Sequence, residues 1–276
     1  LQEEVRRASR ITPSIRFIEG DELLEWCPVL RPDVVVAGML EPTAASIDVM
    51  GLHQLYLRSA RERGTEVWRS ARVTAMSRTT RSWTLGTTAG PVTAGIVVNA
   101  AGAWGDVVGA LAGAEPVGLT PCRRTAFTSP VGQDPRGWPF IHSGIPGLEG
   151  YFKPEAGNQL LCSLSDETPS EPCDARPEEL DIALAMHHLN ELTTLGLRSV
   201  KTSWAGLRTF APDRNPVFGW DDAVDGFLWM VGQGGCGIVS SPIAGEIAAS
   251  LVCGDPLPQS VRDLGLSETD LAPRRP

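Results

Sequence analysis

The sequence predicts a mixed α/β fold, with one region of strand–turn–helix units and another that is mostly antiparallel. Three observations predict it. Residues 96–99 and 227–231 are short apolar runs of the kind found in buried strands, and each leads through a small-residue turn toward a helix. Helical patterns over about 48–63, 177–195 and 238–253 stop at Gly64, Gly196 and Gly254, where a left-handed residue closes a helix. From Thr120 to Pro177 prolines and glycines are dense, and the strand candidates 123–128, 150–153 and 159–163 suit an antiparallel sheet.

Taken in order, residues 1–9 read as the end of a helix with Leu1, Val5 and Ala8 on one side. Residues 15–19 are strand-like, 20–28 form a short helix stopped by Pro28, and 34–37 form an apolar strand before a polar loop. The helix at 48–63 places Leu52, Leu55, Tyr56 and Ser59 on one face. Short strands at 66–69, 72–77, 82–87 and 92–93 follow, with turn residues between them, then the strand at 96–99 and a helix at about 104–112. Pro177 starts the long second helix. After it, 201–210 is extended, 212–216 turns, 217–220 is a short strand, and the apolar run at 227–231 leads to the last helix. The tail beyond Gly254 is polar and reads as fraying at its end.

With 276 residues the chain is long enough for one large domain or two smaller ones. Apolar residues at 42% and charged residues at 21% place it among ordinary globular proteins. A net charge of −9 argues against nucleic acid or an acidic membrane surface as the main partner, and no apolar run is long enough to span a bilayer. The six cysteines, Cys27, Cys122, Cys162, Cys173, Cys236 and Cys253, form no C-x-x-C pair, and read as thiols of a reducing, cytoplasmic compartment. His53, His142, His187 and His188 lack ligand spacing, so no metal site is expected. The chain begins at Leu1 rather than Met, inside a charged helix-like stretch, as the interior of a longer chain would.

The most informative stretch is the turn after 227–231. Gly232, Gly234 and Gly237 fit G-x-G-x-x-G, and three readings are open. A dinucleotide fingerprint requires an acidic residue closing a second strand about 20 residues on. Asp255 has that spacing, but it follows the helix-closing Gly254 and no apolar strand comes after it. The second reading is a tight structural turn. The third is a turn lying against a cofactor whose nucleotide half is bound elsewhere. A second small-residue turn, Asn99-Ala-Ala-Gly-Ala-Trp104, favours the third, although close helix–strand packing would also select small residues there.

Several segments carry a resemblance. They are Ile47-Asp48 before a helix, Asn99-Ala-Ala-Gly-Ala-Trp104, Trp204-Ala-Gly-Leu-Arg208, Pro212-Asp-Arg-Asn-Pro216 and Gly232-Gln-Gly-Gly-Cys-Gly-Ile238. Together they resemble the glycine oxidase and D-amino-acid oxidase family of FAD-dependent oxidoreductases. Cys122-Arg-Arg-Thr-Ala-Phe127, Tyr151-Phe-Lys-Pro-Glu-Ala-Gly157 and Pro177-Glu-Glu-Leu-Asp-Ile182 make it most similar to the bacterial FAD-dependent D-arginine dehydrogenases within that family. The resemblance implies a Rossmann-like FAD-binding domain, incomplete at its N-terminus, over 42–119 and 201–268, with a mostly antiparallel substrate domain over 1–41 and 120–200. The family's opening βαβ unit with its pyrophosphate fingerprint is not among these residues, so a missing N-terminal segment or a complementary chain is expected to supply it. Alone, the chain is expected to expose apolar edge-strand surface.

The activity implied is oxidation of a D-amino acid by hydride transfer from Cα to the flavin, giving an imino acid that hydrolyses to a 2-oxo acid and ammonia. By resemblance, the substrate carboxylate falls to Arg208, with Arg124, Tyr151, His142 and Gly235 also substrate-facing. A guanidinium suits that role because it grips a carboxylate bidentately and keeps its charge. Each of Arg208, Arg124 and Tyr151 also has a plain structural alternative, as salt-bridge partner, solvated cation and core residue respectively. Val73, Ala100, Ala101, Gly102, Trp104, Gly234, Gly235, Cys236, Gly237 and Ile238 are implied at the FAD. No side chain is assigned as general acid or base, and the electron acceptor is left open. Two alternatives stand beside this reading: a secondary-amine oxidase of the sarcosine or glycine oxidase type, and a remnant or split half that does not bind FAD alone.

Overall fold

The computed structural model describes residues 1–275. In chain order the elements are α1 (Gln2–Ser9), β1 (Arg16–Glu19), α2 (Asp21–Trp26), β2 (Ala37–Leu40), α3 (Val49–Glu62), β3 (Val73–Arg78), β4 (Trp83–Thr87), β5 (Gly90–Ala94) and β6 (Val97–Asn99). A 3-10 turn (Gly102–Trp104) leads to α4 (Gly105–Ala112), β7 (Thr120–Pro130), β8 (Ile141–Ser143), β9 (Gly150–Glu155), β10 (Gln159–Ser163) and β11 (Thr168–Pro169). Then come α5 (Glu179–Leu192), β12 (Thr202–Phe210), β13 (Val217–Trp220), β14 (Phe227–Val231), α6 (Ser241–Cys253), α7 (Gln259–Asp263) and α8 (Glu268–Leu271). The chain divides into two compact units. The first holds Leu1–Ser46, Arg123–Thr168 and Asp174–Gly206; the second holds Ile47–Cys122, Pro169–Cys173 and the chain from Leu207 onward.

The first unit is built on an antiparallel sheet in the order β11-β7-β10-β9-β8, with β12 also pairing with β7. Register decides what each face carries. Cys162 lies opposite Phe127 and Phe152, and Phe152 opposite Ile141, so these four share a face. Phe127, Phe152, Leu160 and Cys162 are fully buried there, in one cluster with Ala185, Leu189 and Leu192 of α5. The other face carries Tyr151, which lies opposite His142 on β8 and opposite Ser163 on β10. Extending the β7–β10 register places Ala126 opposite Ser163, and the two-residue pleat then brings Arg124 to this same face.

In the second unit, β14 lies between β13, antiparallel, and β6, parallel. Phe227, Leu228, Trp229 and Val231 are each 0% exposed, as an apolar run covered on both faces requires. Gly105 and Gly109 of α4 explain how the helix approaches so closely. A Cβ on Gly109 would sit 2.2 Å from the Trp229 ring, and one on Gly105 would sit 3.0 Å from Val231. Trp229 Nε1 donates to Asp221 at 3.0 Å, giving that buried carboxylate a partner. β3, β4 and β5 form a separate antiparallel meander.

Several expectations shift. Residues 34–37 are mostly not strand; β2 starts at Ala37, after two turn-type hydrogen bonds from Val34 and Val35 to Arg31 O. Residues 66–69 pair with no strand among the described residues. The last helix starts at Ser241 rather than near 238, because 237–240 form a turn closed by Ser240 N to Cys236 O at 2.9 Å. Within the polar tail two short helices unread from the sequence, α7 and α8, bury Val261 and Leu271, and the last residue of the stretch read as fraying lies outside the described residues. Asp48 caps α3, accepting from Gly51 N at 2.9 Å. Yet α3 buries none of its residues, and Leu55 and Tyr56 of its apolar face are exposed.

Candidate functional site

The glycine turn is held from below. After β14, Gly232 and Gly234 take left-handed φ of 75° and 54°. Gly234 N donates to Thr209 O at 2.9 Å, and Phe210 bridges to Gln233. A Cβ on Gly234 would lie 2.4 Å from the Phe210 ring, so that ring fills the space beneath the turn. Arg214 stacks on the same ring, 4.0 Å from its centre. Above this floor the turn is rich in donors. The amides of Gly235, Gly237, Ile238 and Val239 meet no backbone acceptor among the described residues. Such amides are an anion- or carbonyl-binding surface.

Arg208 lies beside Gly235. A Cβ on Gly235 would be 3.0 Å from Arg208 Nη1 and 3.3 Å from its Cζ. The Arg208 guanidinium makes no hydrogen bond or ion pair among the described residues. Arg123, Arg274 and Arg275, by contrast, each face a carboxylate within 4.0 Å. A half-buried guanidinium without an acid keeps its donors available to an anion.

The second small-residue turn follows β6, so both turns emerge at the C-terminal ends of neighbouring parallel strands, where ligands bind in open α/β sheets. Asn99, 2% exposed, shapes it: its Nδ2 donates to Gly105 O at 2.8 Å and its Oδ1 accepts from Ala101 N at 3.2 Å. Ala100, Ala101 and Gly102 line the turn, and Trp104 and Ile238 are 44% and 48% exposed. Val73 begins β3, beside an irregularity in its pairing with β4. Asp106 closes the loop after α4 by accepting from the amides of Val117, Gly118 and Leu119. Cys236 is exposed within the glycine turn. Among the described residues α6 is followed by the helices α7 and α8 rather than by a strand, so residues 232–237 do not open a βαβ unit there.

In the first unit Arg124, His142 and Tyr151 share the sheet face away from the core. Tyr151 packs 5.3 Å from the Phe140 ring centre and 6.4 Å from that of His142. Arg124 is engaged rather than solvated: its Nε donates to Asp166 O at 2.6 Å, and Glu167 lies 3.5 Å from Nη2. The neighbouring Arg123 points to the opposite face, onto Asp181 of α5 and Glu178 just before that helix. Asp166 is buried, and burial pushes its carboxyl above the usual range, with Asp181 pushing the same way and the Thr125 amide and Arg124 pulling it down. Burial also raises the thiols of Cys27 and Cys162, to about 11 and about 12, making both inert. No cluster of metal-ligating side chains occurs among the described residues.

Sequence reasoning missed Asn99, Asp106, Phe210 and Asp166 as the groups that shape these surfaces. Only the Gly105/Gly109 spacing of four on one helix face was a signal open to it.

Residues 1–251 match the profile of the DAO family, described as FAD dependent oxidoreductase. The chain belongs to that family. Hydrogen cyanide synthase subunit HcnC of Pseudomonas aeruginosa is 27% identical over 263 residues, covering 93% of this chain and 60% of its own length. Glycine oxidase of Geobacillus kaustophilus is 24% identical over 242 residues, covering 86% of this chain and 62% of its own length. The chain thus spans less than two thirds of the length of these relatives. The fold of L-proline dehydrogenase from P. horikoshii matches with a TM-score of 0.77 at 22% identity, over 91% of this chain and 69% of that one. FAD is the cofactor of this DAO-family fold. No helix among the described residues is long and apolar enough to cross a membrane.

Proposed function

We propose that this DAO-family chain carries the cofactor-facing turns and substrate-binding residues of an FAD-dependent oxidoreductase of D-amino acids. The single observation that carries the reading is Arg208: a guanidinium with no acid beside it, packed against a turn whose amides lack acceptors. FAD, when bound, supplies a two-electron acceptor for the hydride leaving the substrate Cα. The residues fit it, since the amides around Gly235–Ile238 offer donors and a Cβ on Gly102 would meet nothing within 4 Å. On this reading Gly234, Gly235, Cys236, Gly237, Ile238, Trp104 and Val73 are cofactor-side residues.

Arg208 grips the α-carboxylate and so fixes which face of Cα is presented. Tyr151, His142 and Arg124, which share one sheet face, are substrate-facing on the resemblance, and Gly235 leaves room for the substrate amine. The imino acid hydrolyses to a 2-oxo acid and ammonia in water without a protein base. D-specificity, and preference for basic side chains, come from the resemblance of the motifs around 122–127, 151–157 and 204–208. The test is anaerobic loss of the oxidised flavin's visible absorbance in the flavin-loaded protein on adding D- or L-alanine, D- or L-arginine, glycine, sarcosine or proline. Bleaching by D-amino acids supports the reading. Bleaching only by sarcosine or glycine supports a secondary-amine oxidase instead, and no bleaching by any of them refutes both.

A second reading concerns assembly. The relative HcnC is named as a subunit, and α3 leaves an apolar face uncovered in its unit. Both favour a partner polypeptide, or a further segment of the same one, completing the FAD site. Titrating FAD into the 276-residue chain alone separates the cases: stoichiometric tight binding contradicts the need for a partner, and absent binding supports it.

A further inference from the structure

Where β10 ends, the chain turns a corner that regular structure does not require. Ser165 takes a left-handed φ of 66°, uncommon for a residue other than glycine, and its buried Oγ has no hydrogen-bond partner. Ser163 Oγ braces the corner, donating to Thr125 O at 2.7 Å and accepting from Ser165 N at 3.2 Å. The result is that Asp166 reaches back under β7 with both of its oxygen groups. Its carbonyl accepts from Arg124 Nε at 2.6 Å. Its carboxylate accepts from Thr125 N at 3.1 and 3.2 Å and lies 3.8 Å from Arg124 Nε. The Asp166 side chain is 3% exposed and that of Arg124 10% exposed, so water competes little for these contacts.

The carbonyl contact belongs to the backbone and survives substitution at 166, whereas the carboxylate, 3.8 Å from Nε, is the side chain's own hold on a guanidinium whose Nη2 lies 3.5 Å from Glu167. We propose that the Asp166 carboxylate is the positioning group for Arg124, setting the orientation in which that guanidinium meets the carboxylate of the substrate. This rests on the reading that Arg124 faces substrate. The charged groups facing Asp166 are Arg124 on β7, Asp181 on α5 and the adjacent Glu167, with Arg123 and Glu178 beyond them on the Asp181 side. Because burial raises the Asp166 carboxyl, it takes up a proton on acidification before ordinary carboxylates do. The neutral form attracts the guanidinium less, so substrate affinity declines from that higher pH downward.

The test is titration calorimetry of pyruvate, a 2-oxo acid probe, into the flavin-loaded protein across the acid range, with steady-state kinetics on a D-amino acid alongside. Asp166→Asn is expected to raise the pyruvate Kd and the KM roughly tenfold, with kcat changed by less than about twofold, and to remove the acid-side weakening seen in the wild type. In an Arg124→Ala background it is expected to add nothing, and Glu178→Gln is expected to behave as wild type. Wild-type binding by Asp166→Asn, or an additive loss in the Arg124→Ala background, overturns the proposal. If Arg124→Ala itself binds pyruvate normally, the substrate-facing reading of Arg124 fails and this inference falls with it. Should Asp166→Asn not fold, a wild-type pyruvate affinity independent of pH through the acid range contradicts the proposal.

Discussion

Replacing Gly235 by alanine separates a functional from a structural role for the glycine turn. Gly235 is not among the left-handed glycines, so its backbone accepts an alanine. The added Cβ would instead lie 3.0 Å from Arg208 Nη1 and 3.3 Å from Cζ, and the guanidinium must yield by a few tenths of an ångström. That guanidinium ends a flexible side chain with no partner among the described residues, so the cost to the fold is small, under about 1 kcal/mol. The cost to function is larger. Losing one of two charge-assisted hydrogen bonds to a carboxylate costs about 1.5–3 kcal/mol, or roughly 10–150-fold in kcat/KM. Urea denaturation and dye-linked kinetics on a D-amino acid read the two effects. Unchanged kcat/KM in a normally stable Gly235→Ala protein refutes the placement of substrate against Arg208.

Other consequences are independent of that site. Gly109→Ala forces a methyl group to within 2.2 Å of the buried Trp229 ring, and urea denaturation should register a loss of at least about 1–3 kcal/mol. At pH 8 a thiol reagent should label Cys173, Cys236 and Cys253 quickly and Cys27, Cys122 and Cys162 only on unfolding, because the first three are exposed and the others buried. Mass spectrometry of the labelled peptides checks this. The carboxyl of Asp270 is held below the usual range by the Ser267 hydroxyl and then the Ser267 amide, which close α8 as a capping box. A lowered folded pKa stabilises above the unfolded value and is lost as pH falls through the folded one. Amide-exchange protection in α8 should therefore hold from neutrality down to about pH 4 and fall below it. Loss of protection between neutrality and that point contradicts the assignment.

What the sequence made legible depended on the range of the interaction responsible. β14 was read to the residue because five consecutive apolar positions have one explanation, burial on both faces. The end of α3 was legible for a local reason too, a glycine with φ of 86° after its C-cap. Residues 34–37 failed because a valine run carries no information on whether a partner strand is in register, and the turn at Arg31 takes those amides first. The start of α6 was misplaced because glycine spacing does not distinguish a donor-rich turn from a first helical turn. The environment of Arg124 was the least accessible. Its carbonyl partner comes 42 residues later, at a corner whose left-handed residue is a serine. The absence of an acid beside Arg208 is likewise a property of the packed chain alone, invisible from the apolar alternation around it.

The central claim is that Arg208 is the carboxylate receptor. Its most direct measurement is the amount of D-alanine needed to bleach the oxidised flavin anaerobically, in the flavin-loaded wild type and in Arg208→Lys. Lysine keeps the charge but not the two-pronged fork, so the account predicts a half-saturating concentration higher by at least about tenfold, with flavin content unchanged. Wild-type saturation by Arg208→Lys and by Arg208→Ala would contradict it.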